Sequence, residues 1–185
     1  MKICIVSGTN REGSNTLRLT KAIAQRYATI EGVEIDLVDL RDLPKGLLDP
    51  SSYATRPDGW APLEAKVLGA DGLHVVVPEY NGSMPGALKL FIDHLPFPAA
   101  FERRPVCFTG LASGMWGGLR PVEHLQGVFG YRNALQYPER VFIPKVGGAL
   151  DASGWPTPEL TAELLQAQVE GFLAYCRAVG GLPKP

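Results

Sequence analysis

The sequence predicts an α/β fold in which helices cover both faces of a parallel sheet. Two β-prone apolar runs, residues 3–7 and 72–77, lack the alternation of a strand with one wet face, which indicates strands buried on both sides. Helical patterns follow both runs, and strands that alternate with helices form parallel sheets with right-handed crossovers. The length of 185 residues fits one domain, which we expect to span residues 1–185.

Five strands are expected to alternate with five helices. The predicted strands are residues 3–7, 33–40, 72–77, 105–110 and 140–144. The predicted helices are a stretch that follows residue 15 and ends at Gly32, then residues 63–70, 87–95, 117–129 and 158–179. Five strands in this length match a flavodoxin-like three-layer sandwich, with a five-stranded parallel sheet in the order 2-1-3-4-5.

Local patterns support these elements. Leu17, Ile23 and Tyr27 recur near one face of the first helix, and residues 33–40 alternate apolar with polar side chains, as an edge strand does. The third strand stops at Pro78, because proline has no N–H for the ladder. Residues 44–62 contain four prolines, so we expect an irregular connection there.

Composition excludes several classes of protein. A net charge of −1, from 18 basic and 19 acidic side chains, provides no broad surface charge for nucleic acid or an anionic membrane. Three cysteines without a C-x-x-C pair predict neither a disulfide framework nor a metal site, and Cys4 and Cys107 are expected in the core. Met1 is followed by no secretory apolar region, and no run reaches the ~18 residues of a membrane span. We therefore expect a cytoplasmic protein.

Three loops form the candidate site, because ligands of such sheets bind at the carboxyl ends of the strands where the winding reverses. They follow residues 7, 77 and 110.

The first loop, residues 8–16 (GTNREGSNT), places glycines, hydroxyls and amides before a helix N-terminus, which suits a phosphate. Ser14 and Asn15 stand where a P-loop has Lys-Ser or Lys-Thr, which argues against a nucleoside triphosphate, and the absence of G-x-G-x-x-G argues against a dinucleotide. Two interpretations remain. The loop binds a terminal monophosphate with Arg11 as its charged partner, or it is a simple turn in which Ser14 caps the helix.

The second loop belongs to residues 78–89 (PEYNGSMPGALK). Its two prolines and two glycines stiffen a segment at the switch point and present backbone donors and acceptors beside one aromatic ring. Such a loop suits a flat heterocycle with a polar edge. The alternative, a plain strand-to-helix connection, needs only two to six residues.

Together, the motifs at residues 8–16 and 78–89 resemble the NAD(P)H-dependent FMN reductase family, which includes quinone, azo-dye and chromate reductases. The resemblance implies that the FMN phosphate is held by Thr9, Arg11, Ser14, Asn15 and Thr16. It implies that the isoalloxazine ring is lined by Pro78, Glu79, Tyr80, Asn81 and Gly82. The third loop, residues 111–120, resembles the family's small-residue segment at the far side of the flavin, which includes Ser113, Gly114, Gly117 and Gly118. Where the family usually continues Leu-Lys-Asn, this chain has Leu90, which lacks the hydrogen bonds of asparagine.

The resemblance implies an enzyme that passes hydride from NADPH or NADH through FMN to a small-molecule acceptor: a quinone, free flavin, azo compound or metal oxyanion. We expect no catalytic side chain, because the flavin itself carries the hydride. His74, His94 and His124 are accordingly expected to be packed or solvated. The alternatives are a flavodoxin-type electron carrier, disfavoured by the lack of strong acidity, and a flavin-binding redox regulator.

Apolar residues at positions 90–92, 95–97 and 116 predict self-association. They outnumber what one helix face buries, and a two-fold contact would cover them and could enclose the acceptor pocket. The family resemblance also implies a homodimer or homotetramer. Trp116 either stacks over the ring or fills the boundary between subunits.

Overall fold

Six parallel strands and five α-helices lie within residues 1–180, the part of the chain that this computed structural model describes. Residues 181–185 of the expected domain lie outside it. The strands are β1 (Lys2–Ser7), β2 (Glu34–Asp39), β3 (Gly72–Pro78), β4 (Pro105–Leu111), β5 (Leu135–Gln136) and β6 (Val141–Ile143). The helices are α1 (Asn15–Ala28), α2 (Trp60–Leu68), α3 (Gly86–His94), α4 (Leu119–Tyr131) and α5 (Glu159–Val179).

The sheet has the predicted order, β2-β1-β3-β4-β5, and all its pairs are parallel. Its fifth position holds two short segments: β5 pairs with the start of β4, and β6 with the end of β4. Pro138 lies between them and has no N–H to continue the ladder. The predicted strand at 140–144 is thus β6, and β5 is an addition to the prediction.

Both faces of the sheet are covered, as the unbroken apolar runs predicted. Every residue of β3 and β4 is buried. On one face Val75 and Phe108 pack with α2, α3 and α4, and on the other Ile5 packs with α1 and α5. Functional groups are therefore expected in the loops at the ends of the strands.

Some element boundaries differ from the prediction. Helix α1 ends at Ala28, and Gly32 instead adopts a φ of 75° in the turn before β2. Helix α2 starts at Trp60, because Pro62 is tolerated in a first turn, where the backbone N–H has no helical acceptor. Helix α4 starts only at Leu119, because Gly117 and Gly118 have positive φ angles of 58° and 86°.

The proline-rich connection at 40–59 contains three short 3₁₀ turns, at Leu40–Asp42, Lys45–Leu48 and Pro50–Tyr53. Buried His94 of α3 anchors it: Nε2 lies 2.8 Å from the Ser52 hydroxyl, and Tyr53 stacks on the ring. The expected packing position of His94 is confirmed.

A buried polar chain runs through His74 on the face of the sheet that α1 and α5 cover. Thr109 donates its hydroxyl hydrogen to Gln168 Oε1 (2.6 Å), so it accepts from His74 Nε2 (2.8 Å), and the Tyr27 hydroxyl donates to Nδ1 (3.0 Å). Burial lowers the pKa of His74 to about 3, which keeps the ring neutral. His74 is therefore a packed histidine, as expected.

The apolar surface expected for self-association is smaller than the sequence suggested. Phe91, Ile92 and Leu95 are buried in the core against α2 and the sheet, and Leu90 packs partly against the same cluster. The prediction counted them as surface because the helix pattern alone does not show that the connection at 40–59 and α2 cover this side. Phe97 and Trp116 are exposed, at 59% and 67%.

Cys4, Cys107 and Cys176 are buried free thiols, which confirms the core positions expected for the first two. Burial raises the pKa of both Cys4 and Cys176 to about 12, so neither is a thiolate near neutral pH. Among the helices of residues 1–180, none is long and apolar enough to cross a bilayer.

Candidate functional site

The three predicted loops meet at the carboxyl edge of the sheet around a cavity of about 450 Å³, a size typical of small-molecule sites. Eight of the predicted site residues line it: Arg11, Asn15, Thr16, Pro78, Glu79, Tyr80, Asn81 and Ser113. Leu111, Ala112 and Val146 complete the lining. Thr9, Ser14, Gly82, Gly114 and Gly117 lie in the same loops, outside the lining.

The first loop is tied to the neighbouring strand. The Gly8 N–H donates to Val76 O of β3 (2.8 Å), and a Cβ at Gly8 would lie only 2.7 Å from that oxygen. The loop can approach β3 this closely only with glycine. The buried Thr9 hydroxyl then accepts from Arg11 N (3.2 Å) and shares a hydrogen with the Tyr80 hydroxyl (2.8 Å). The first and second loops are thereby joined.

The N-terminus of α1 points donors at the cavity. Ser14 is the buried N-cap, and its Oγ accepts from Leu17 N (3.2 Å), so the capping alternative is observed, while its hydroxyl hydrogen is left for another acceptor. Asn15 and Thr16 line the cavity in the first turn, where N–H groups have no helical partner. This end of the helix also carries the positive end of the dipole, which favours an anion.

The second loop contains a tight two-residue turn. Tyr80 N donates to Ser83 O (2.8 Å) and Ser83 N to Tyr80 O (3.1 Å), while Asn81 and Gly82 have φ angles of 52° and 75°. These are the features of a type I′ turn, for which Asn-Gly is the usual sequence signal. The same dipeptide could have predicted this geometry. Gly82 faces Arg120 of α4 rather than the cavity.

The third loop is fixed by the segment after β6. Ala112 N donates to Ile143 O (3.1 Å), Val146 N to Ala112 O (3.0 Å) and Lys145 N to Gly114 O (3.1 Å). These bonds bring Val146 into the lining, a position that the sequence analysis missed. No local pattern around Val146 signals it, because the contact depends on tertiary backbone pairing.

The glycine and aromatic positions of the third loop have different surroundings. Gly117 packs on β6, where a Cβ would lie 2.9 Å from Ile143 N. Met115 and Trp116 are 76% and 67% exposed. Both interpretations of Trp116, ring stacking and a subunit boundary, are compatible with this exposure.

His124 of α4 is exposed, and its Nδ1 lies 2.8 Å from the Ser83 hydroxyl, beside the second loop.

A second cavity, of about 430 Å³, lies at the opposite edge of the sheet. Its walls include Met1, Asp71 and Pro105, at the amino ends of β1, β3 and β4. Sheets wound in this way bind their ligands at the carboxyl ends, where the winding reverses. The candidate site is therefore the cavity of the three loops.

The donors around that cavity suit a phosphate joined to a flat ring. The first loop contributes the N-terminus of α1, the Asn15 amide and the Arg11 guanidinium, and the second contributes Pro78, Tyr80 and the Asn81 turn. A flavin mononucleotide has this division between a dianionic end and a planar end. Fold and site together define a flavodoxin-like nucleotide-binding protein.

Residues 1–148 match the family model described as NADPH-dependent FMN reductase, and the chain belongs to that family. It is therefore a flavin-dependent oxidoreductase, as the resemblance implied. The chain is 32% identical over 187 residues to an NAD(P)H-dependent FMN reductase of Pseudomonas aeruginosa, covering 98% of each chain. It is 30% identical over 181 residues to a 2-hydroxy-1,4-benzoquinone reductase of Burkholderia, covering 96% of this chain and 97% of that one.

A solved structure shares the fold. The flavoenzyme NAD(P)H:(acceptor) oxidoreductase FerB of Paracoccus denitrificans superposes with a TM-score of 0.79 at 25% identity, covering 96% of this chain and 97% of that chain. The flavodoxin-like fold predicted from the sequence is thus confirmed.

Proposed function

We propose that this chain, as one domain spanning residues 1–185, transfers hydride from NADPH or NADH through bound FMN to quinones, free flavins, azo compounds or metal oxyanions. The observation that carries the proposal is the single cavity shared by the α1 N-terminus and the Tyr80–Ser83 turn. The names of the Burkholderia and Pseudomonas relatives support quinones and flavins as the first acceptors to test.

In this proposal the first loop binds the phosphate. Arg11 supplies a two-pronged charged contact, and Asn15 and Thr16 donate from the first turn of α1. Ser14 contributes the hydroxyl hydrogen that capping leaves unused, and Thr9 orients the loop through Tyr80. A charge-assisted network of this kind suits a terminal monophosphate.

The ring would lie against the second loop, with Pro78, Glu79, Tyr80 and Asn81 along it and Gly82 completing the turn. The Asn81 N–H has no acceptor among residues 1–180 and can donate to the polar edge of a heterocycle. Ser113 lies across the cavity, in the third loop beside Gly114 and Gly117. When bound, FMN supplies the hydride chemistry, accepting from the nicotinamide and donating to the acceptor.

The proposed assembly is a homodimer or homotetramer. Met115, Trp116 and Phe97 are large and exposed, and Met115 and Trp116 belong to the loop that borders the cavity. A second copy that covers them would shield apolar surface and narrow the opening through which both substrates must enter.

Steady-state turnover tests the proposal. The protein, reconstituted with FMN, is mixed with NADPH or NADH, and absorbance at 340 nm is followed with and without menadione. We expect oxidation that depends on menadione. The assay is repeated with a free flavin, an azo compound or a metal oxyanion in place of menadione. If the protein binds FMN but oxidises neither nucleotide with any of these acceptors, it is a carrier or a regulator instead.

A further inference from the structure

Arg18 of α1 joins the candidate phosphate loop to a distant part of the chain. It lies one turn after Asn15, and its Nη1 donates to Asn15 Oδ1 (2.9 Å). Its Nη2 donates to the carbonyl oxygen of Asp151 (2.7 Å), 133 residues further along. Arg18 does not line the cavity, whereas Asn15 does. The path of contacts from Arg18 to a ligand in the cavity therefore runs through Asn15.

The chemistry of the contact fixes the orientation of the Asn15 amide. A guanidinium has only donors, so the atom of the carboxamide that faces it must be the oxygen. The Asn15 NH₂ group then points away from Arg18, and it has no acceptor among residues 1–180. An asparagine in this orientation presents two donors to an anion, whereas the flipped amide would present its oxygen and repel one.

Arg18 is itself held in place by a rigid turn. The Asp151 carboxylate accepts from Ser153 Oγ (2.7 Å) and Trp155 N (3.0 Å), and these bonds lower its pKa. Gly154, at a φ of 89°, packs against the Arg18 backbone so closely that a Cβ would lie 2.5 Å from Arg18 O. The Asp151 carbonyl is thereby presented to Arg18 from a fixed position.

We propose that Arg18 is a positioning residue, which holds the Asn15 amide with its NH₂ group toward the cavity so that it donates to the FMN phosphate. The inference rests on the proposed function, since it requires the phosphate to bind at the α1 N-terminus. It assigns the arginine of the first loop, Arg11, and that of the helix, Arg18, to different tasks: direct contact and orientation.

Binding of FMN and of riboflavin, which lacks the phosphate, tests this role. For Arg18→Met we expect the FMN Kd to rise about 5- to 10-fold, the size of a lost hydrogen bond, with the riboflavin Kd unchanged within about twofold. Asn15→Ala should give a loss of FMN affinity at least as large. Because Arg18 acts through Asn15, the double variant should bind FMN within about twofold of Asn15→Ala alone.

Lys21→Met is the matched control, since it removes a positive charge from an exposed position on the same helix, one turn further on. It should leave the FMN Kd within about twofold of wild type. Arg18→Lys keeps the positive charge and the aliphatic stem, but an ammonium group lacks the planar pair of donors with which the guanidinium reaches both partners. This variant is used if Arg18→Met does not fold. Its expected loss is smaller than that of Arg18→Met and again confined to FMN.

Four results would overturn the inference: unchanged FMN affinity in both Arg18 variants, equal weakening of FMN and riboflavin, full additivity with Asn15→Ala, or an equal loss in Lys21→Met. If wild type binds FMN and any of these is found, only the role of Arg18 is refuted. If wild type does not bind FMN at all, the proposed function fails first, and the inference falls with it.

Discussion

The hydroxyl groups of Thr9 and Tyr80 hydrogen-bond at 2.8 Å, although the two residues are 71 positions apart. The bond joins the loop after β1 to the loop after β3, the two strands between which the winding of the sheet reverses. It ties the loop whose donors suit a phosphate to the loop that suits a flat ring. A ligand with both parts is therefore met by a cavity already arranged for it.

Removing this bond should weaken FMN binding more than it destabilises the fold. Tyr80 is only half-buried, so Tyr80→Phe should cost about 0.5–1.5 kcal/mol of FMN affinity, with a smaller change in the free energy of unfolding. Tyr80→Ala should lower quinone reductase activity further. Fluorescence titration and urea unfolding measure the two effects, with Tyr131→Phe, on an 83% exposed side chain, as the control. Equal losses of binding and stability would assign Tyr80 to packing.

Arg11→Ala should reduce FMN affinity by about 1.5–3 kcal/mol, because a charge-assisted contact to the phosphate is lost. Riboflavin affinity should not change. Titration of the apoprotein with both ligands checks this, and Lys21→Ala controls for net charge. An FMN Kd equal to that of wild type would remove Arg11 from the phosphate site.

His74 should make the fold less stable in mild acid. Its pKa is lowered from 6.5 to about 3 by burial, so below pH 6.5 the unfolded chain binds a proton that the folded chain excludes. The free energy of unfolding therefore keeps its full value with respect to His74 above pH 6.5. It falls as the pH drops toward 3, by about 1.4 kcal/mol per pH unit once the unfolded histidine is charged.

Urea unfolding of wild type and His74→Gln between pH 7 and pH 4.5 measures the loss of stability that His74 causes. The glutamine variant cannot titrate, so its stability should fall less steeply over that range, whatever its stability at pH 7. Parallel curves would mean that folded His74 takes up a proton as readily as the unfolded chain does.

Self-association should depend on Trp116. Sedimentation equilibrium at micromolar concentration should give at least a dimer of the 20 kDa chain, and Trp116→Ser should shift it toward monomer because an exposed apolar contact is lost. Leu160→Ser, on the similarly exposed surface of α5, is the control. A wild-type monomer with full quinone reductase activity would refute both the assembly and a pocket shared between subunits.

The order of the sheet was predictable because five strands alternate with helices in a chain of this length, and the apolar runs of β1 and β3 indicated strands buried on both faces. The position of the candidate site followed from the topology, since the loops that contain Asn15 and Tyr80 come after the strands that meet at the switch point. The individual site residues followed from the resemblance to the FMN reductase family. Segments without periodicity were not predictable. Strand β5 has two residues, too few to show alternation, and its pairing depends on β4.

Val146 shows a different limit. It enters the cavity because its N–H donates to Ala112 O, and such a bond between loops leaves no trace in either local sequence. The burial of Phe91 and Ile92 was missed for a related reason: the helix pattern shows which residues share a face but not what covers that face. Likewise, the orientation of the Asn15 amide follows only from the position of Arg18.

The identity of the bound cofactor tests the central claim most directly. The protein is purified, reconstituted with a mixture of FMN, FAD and riboflavin, freed of unbound flavin and heated, and the released material is analysed by mass spectrometry. A site built for a terminal monophosphate should retain FMN in a 1:1 ratio to the chain, with a yellow flavin absorption spectrum before heating. Retention of FAD in preference to FMN, or of no flavin, would contradict the account.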